Sequence, residues 1–264
     1  RADLMERLVR VEDEDRVAAL TLELVALRAE DPDGALRGLQ LGYRRVPGHP
    51  DLHAPLEQRY REAEDFNGLF EMLQDAANAS SEAPQPAARL LQQAAVVKRD
   101  LLDDPAAAID LLVQACTLAG DPLPIKLELA ETQARARSFV AAIETLTQCL
   151  ERVEDNPEQR LDFLRRRATV HHDAGDRVRS VADLSAAHKL DASAVADDLM
   201  HALNGLRIDF GIAGEVDEER ALTLRLYDLR LASQQRVEAR ELLVGWLRGQ
   251  TDDVDALQRL RGLD

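Results

Sequence analysis

Apolar residues recur along this chain at three- and four-residue spacing and nowhere in sustained alternation. Val17, Leu20, Leu24 and Leu27 form one stripe, Leu52, Leu56 and Tyr60 another, and Phe66, Leu69, Phe70 and Leu73 a third. Such spacing gathers side chains on one face of an α-helix. The breaks between stripes carry Asp31-Pro32, Pro47-Gly48-His49-Pro50, Asp121-Pro122, Asn156-Pro157 and Gly175. Proline suits a turn or the first helical position, where its missing N–H costs nothing. The pattern therefore predicts an all-α chain of short helices joined by tight turns. The first twelve residues predict a helix with Leu4, Leu8 and Val11 on one face.

The stripes also repeat. Glu30-Asp31-Pro32-Asp33-Gly34-Ala35 returns 73 residues later as Asp103-Asp104-Pro105-Ala106-Ala107-Ala108, and Asp176 stands 73 residues beyond Asp103. A second phrase, Glu64-Asp65-Phe66, is matched 73 residues on by Arg137-Ser138-Phe139. A fixed period marks an array in which each helix pair buries its apolar face against its neighbours. Residues 1–15 are expected to be an end helix from a truncated preceding repeat, in a chain cut from something longer. Residues 16–192 hold five helix pairs. Residues 193–216, interrupted by Gly205, Gly211 and Gly214, are expected to be an irregular helical insertion. Residues 217–264 supply a sixth pair and a C-terminal capping helix.

Composition narrows the partner more than the fold. The 264 residues carry 49 acidic and 33 basic side chains, a formal charge of −16. That field repels phosphate backbones and anionic lipid heads, so a protein or peptide partner is expected and nucleic acid is not. No apolar run reaches the ~18 residues of a membrane span, so direct membrane insertion is not expected. Cys116 and Cys149 lie inside apolar helical phrases and read as small core residues. The compartment is left open.

Leu164, Ala168, Gly175, Leu184 and Ala187 in the fifth pair, with Asp191-Ala192 closing it, resemble the signature of tetratricopeptide repeats. Ala130, Phe139, Ala142 and Leu146 carry the same resemblance in the fourth pair. Pro105, Ala108, Leu112 and Ala115 carry it in the third, and Tyr227, Ala239, Leu243 and Trp246 in the sixth. His171 and Arg177 depart from the family, which favours aromatics at those places. The alternating unit lengths are similar to degenerate arrays in large bacterial proteins. The resemblance implies a right-handed α-solenoid of antiparallel helix pairs, with a concave groove lined by the first helix of each pair and holding a peptide or partner helix.

Family spacing turns Arg165, Thr169, His172 and Asp173 toward that groove, and likewise Gln58 and Arg61, Gln93 and Asp100, and Glu131 and Arg135. An arginine at such a place can hold a carboxylate bidentately; the competing reading is a solvated basic face paired with acids such as Asp162. The family's Lys–Asn carboxylate clamp is not matched, because Arg165 precedes Thr169 and no adjacent unit supplies the Asn. Val17, Leu20, Leu24 and Leu27 are either an apolar end interface, through which copies or other domains stack, or a face covered by residues 1–12. His49 and His53 are four apart, but Pro50 separates them and no third ligand is in reach, so no metal site is expected. No nucleotide, hydrolase or zinc-protease motif occurs, and neither catalytic residues nor a cofactor are expected. The expected function is a non-catalytic interaction scaffold. Its rival is a structural module that assembles end-on.

Overall fold

The structure, a computed structural model, describes residues 1–263, and these form only helices and turns. It divides into two compact units, Arg1–Ser138 and Phe139–Asp264. The first holds α1 (Ala2–Val11), α2 (Glu14–Leu27), α3 (Pro32–Arg45), α4 (Pro50–Glu62), α5 (Phe66–Ala79), α6 (Pro84–Val96), α7 (Pro105–Ala119) and α8 (Leu123–Arg135). The second holds α9 (Phe139–Arg152), α10 (Pro157–Asp173), α11 (Arg177–Leu190), α12 (Ala192–Ala213), α13 (Val216–Ala232), α14 (Arg236–Leu247) and α15 (Val254–Arg261). The chain is thus an all-α array of helices packed against their sequence neighbours.

One turn design recurs in both units. The residue after the first helix of a pair enters the left-handed region at Glu64, Asp103, Arg137, Gly175 and Gln234. The residue after it then begins the partner helix. Asp65, Asp104 and Asp176 accept a hydrogen bond from the backbone N–H three residues on. Each such bond satisfies one of the donors that a helix N-terminus leaves orphaned. Asp31, Asn156, Asp191 and Asp253 cap their helices in the same way.

These caps refine the period. Asp31 and Asp104 keep the 73-residue spacing, but Asp104 aligns with Asp176, one residue closer. The first interval alone contains the π-wound turn Val97–Leu101 that continues α6. A π turn accommodates one extra residue without ending the helix.

The second helix of each pair buries two residues four apart. In the first unit these are Ala35 and Leu39, Leu69 and Leu73, and Ala108 and Leu112. In the second they are Ala142 and Leu146, Ser180 and Leu184, and Ala239 and Leu243. The earlier position is mostly small, so helices approach closely; the leucine fills the space, contributing roughly 1.5–3 kcal/mol when fully buried. Ser180 is the polar exception among these residues.

Two expectations are corrected. Residues 192–213 are not irregular but one 22-residue helix, which Gly214 ends at φ 77°. A glycine inside a helix costs roughly 1 kcal/mol. Val195, Leu199, Leu203 and Leu206 are buried on α12, which packs against both α11 and α13, and that burial outweighs Gly205 and Gly211. The second correction concerns the apolar end interface. Val17, Leu20 and Leu24 are core residues, packed with Met5 and Val9 of α1, and only Leu27 stays exposed. The predicted α1 face was also rotated: Leu4 and Val11 point outward while Met5 and Val9 are buried.

Candidate functional site

Within the second unit, α10, α11 and α12 enclose a cleft of about 500 Å³. The Asn156 cap starts α10 and the Gly175–Asp176 turn reverses the chain into α11. The Asp191 cap then launches α12. Arg165, Thr169 and His172 line the cleft from α10, Ser180 and Leu184 from α11, and Asp198, His201 and Ala202 from α12. A smaller pocket of about 70 Å³ is lined by His172, Arg177, Ser180, His201, Ala202 and Gly205. His172, Ser180, His201 and Ala202 border both spaces.

Arg165, Thr169 and His172 are therefore brought together as the spacing predicts, whereas Asp173 is exposed beside the cleft and is not among its lining residues. Arg165 donates to the Asp198 carboxylate at 2.9 Å, and Arg166 to Asp162 at 2.8 Å. The Thr169 hydroxyl donates to the Arg165 carbonyl at 3.1 Å. Arg177 pairs with Asp209. Arginines and aspartates around the cleft thus largely cancel.

Beside the cleft, the same helices bury a charged cluster. Arg167 makes a bidentate contact with Asp183 at 2.7 and 2.8 Å and donates to the Thr147 hydroxyl at 2.8 Å. The His171 Nε2 lies 3.9 Å from the Asp183 carboxylate, and its Nδ1 is buried with no hydrogen-bond partner among the described residues. Burial pushes the His171 imidazole below its ordinary pKa, and the nearby Asp183 charge only partly opposes this. A buried pair of this kind ties α10 to α11 and, through Thr147, to α9.

The other predicted positions do not share a cleft. Gln58 bonds Glu62 and Arg61 bonds Glu57, both on the exposed face of α4. Asp100 and Arg135 do meet, at 2.8 Å, in a cross-link that also includes Arg99. Arg99 reaches Glu128 and Thr132 of α8 as well. Hydrogen bonding from Arg99 holds the Asp100 carboxyl down to about 2. Gln93 and Glu131 stand exposed on α6 and α8. Cys116 and Cys149 are both buried thiols. Among the described residues no three His, Cys, Asp or Glu side chains are grouped to hold a metal, and no helix is long and apolar enough to cross a membrane.

Sequence reading missed Asp198, His201 and Gly205, because it treated their helix as irregular. It also missed Ser180. That residue was legible as the polar member of a register otherwise filled by Ala35, Leu69, Ala108, Ala142 and Ala239.

No family model and no curated protein matches the chain. Solved structures do. YrrB, a TPR protein with an unusual peptide-binding site, is 16% identical over 78% of this chain and 98% of its own, with a TM-score of 0.46. BtubC from P. vanneervenii is 15% identical over 87% of this chain and 92% of its own, with a TM-score of 0.45. TTC0263, a thermophilic TPR protein of Thermus thermophilus, is 18% identical over 72% of this chain and 99% of its own, with a TM-score of 0.38. The chain is an all-helical repeat array, and TPR proteins are among the solved structures it matches.

Proposed function

We propose that this chain is a non-catalytic protein-interaction scaffold whose recognition surface is the cleft between α10, α11 and α12, occupied by a segment of a partner protein. The observation that carries this reading is convergence. Three helices direct polar side chains into one space: His172 from α10, Ser180 from α11 and His201 from α12. At about 500 Å³ the cleft suits a few side chains of a peptide, and it falls within the usual range of ligand pockets. Specific polar groups over an apolar floor, here Leu184 and Ala202, are what fix the register of a bound segment.

The same cleft lacks the arrangement that acid–base or nucleophilic chemistry needs. Among the described residues no hydrogen bond joins the Ser180 hydroxyl to either imidazole, and Asp173 is not placed to orient His172 within the cleft. The alternative, end-on assembly through α2, loses its surface because α1 covers Val17, Leu20 and Leu24.

The test is selection of peptides from a displayed library against the purified chain, followed by titration of the selected peptides against wild type and Arg165→Glu. Arg165 is about half exposed, so the variant folds, but it turns the cleft-edge cation into an anion facing Asp198. Binding at least about tenfold weaker is expected, equivalent to ~1.4 kcal/mol. Unchanged affinity would move the recognition surface elsewhere.

A further inference from the structure

We propose that the small pocket within this cleft is a carboxylate subsite that takes the side chain of a glutamate or aspartate from the partner segment. The inference rests on the cleft being the recognition surface and names the chemistry of its occupant.

Three observations point to it. First, the pocket of about 70 Å³ has room for one small polar group and little else. Second, its unengaged hydrogen-bonding groups can all donate. Ser180 is only 3% exposed, yet it borders both the cleft and the pocket, and no described group hydrogen-bonds to its hydroxyl. His172 and His201 border the same two spaces from opposite helices, again with no described partner, and each imidazole carries at least one N–H. At the cleft edge Arg165 uses one terminal nitrogen on Asp198, which leaves its other N–H groups unengaged by the protein. The acceptors nearby are already taken, Asp198 by Arg165, Asp162 by Arg166 and Asp209 by Arg177. A ligand that brings acceptors is complementary to this set, and a cationic one is not.

Third, Gly205 keeps the pocket open. A Cβ built on it would meet no atom within 4 Å, so close packing does not require glycine there. Mid-helix glycine is nevertheless unfavourable relative to alanine. Its effect in this fold is empty space along the pocket wall. The buried register of α11 sharpens the same point: where Ala35, Ala108, Ala142 and Ala239 place a methyl, α11 places a hydroxyl that faces this space.

The experiment uses the whole chain and three fluorescent peptides of otherwise identical sequence. One has central glutamates and an amidated C-terminus, one has glutamines in their place with the same amide, and one has glutamines with a free C-terminal carboxylate. Anisotropy titrations are run with wild type, Gly205→Leu and Ser180→Ala, with helical circular dichroism to verify folding. Expected is binding of the glutamate peptide at least tenfold tighter than that of the amidated glutamine peptide. Gly205→Leu, which fills the pocket without altering a charge, should erase that preference, and Ser180→Ala should reduce it several-fold. The subsite is overturned if the glutamate peptide does not bind at millimolar concentration, if only the free C-terminus binds, or if Gly205→Leu keeps the preference. Equal binding of both amidated peptides, weakened together by Gly205→Leu, would overturn the carboxylate subsite while leaving the cleft as the recognition surface. Binding insensitive to Gly205→Leu and to Arg165→Glu alike would overturn both.

Discussion

The α2 face and the α10 face start from the same backbone plan and end in opposite conditions. On α2, Val17, Leu20 and Leu24 are buried, covered by Met5 and Val9 of α1. On α10, Arg165, Thr169 and His172 line an open cleft. The difference lies in side-chain chemistry. Apolar surface left in water costs about 25 cal/mol per Å², so a leucine stripe demands a lid. Arginine, threonine and histidine are satisfied by water, so a face built from them can stay open and keep its hydrogen-bonding capacity for a ligand. A helix pair in this array becomes core or cleft according to which residues occupy its first helix.

The largest effect should come from breaking the charged cluster beside the open face. Arg167→Met leaves the Asp183 carboxylate, only 10% exposed, without its bidentate partner. A loss of about 3–5 kcal/mol in urea denaturation is expected, with much of it recovered by Arg167→Met combined with Asp183→Leu. A loss below ~1 kcal/mol would show that the cluster does not hold α10 to α11.

On the covered face, Leu24→Ala should cost about 2–5 kcal/mol, because Leu24 is fully buried and the neighbouring helices collapse only partly around the cavity. A near-neutral result would mean that α1 and α3 do not seal this stripe.

Acid should weaken the second unit through His171. Its folded pKa lies below the ordinary 6.5, so the unfolded chain takes up the proton first. The His171 contribution is flat above that value and becomes destabilising as pH falls below it. Urea midpoints of wild type and His171→Phe, compared at pH 7.5 and 5.5, should show the smaller drop in the variant. Equal drops would remove His171 as a source of acid sensitivity.

The smallest effect should be His172→Ala, one residue away but on the open face. It should change stability by no more than about 0.5 kcal/mol. It should nonetheless weaken binding of peptides selected on the cleft. A large stability loss with unaltered peptide affinity would reverse the contrast between the two faces.

Much of the array was legible because its information is local. Caps such as Asp31, Asp65, Asp104 and Asp176 bond to backbone three residues on, and the apolar spacing is readable within two helical turns. Arg165, Thr169 and His172 fell on one face for the same reason. The pairing of Arg165 with Asp198 was not legible, since 33 residues separate them and nearby Asp162 offered an equally plausible partner that Arg166 takes instead. The continuity of α12 escaped because glycine propensity argues for a break, whereas packing against α11 and α13 holds the helix together.

The sequence by itself determined the helices, their caps, the turn positions and the small-then-leucine register that buries each second helix. Those features depend on the dihedral preferences and spacing of residues within a few positions of one another. Tertiary structure decided which faces meet water. It turned Met5 and Val9 inward over α2 and left Ser180 facing a pocket that Gly205 keeps open. It also buried His171 without a partner for its Nδ1. These outcomes depend on which residues, tens of positions apart, compete to exclude solvent from the same space.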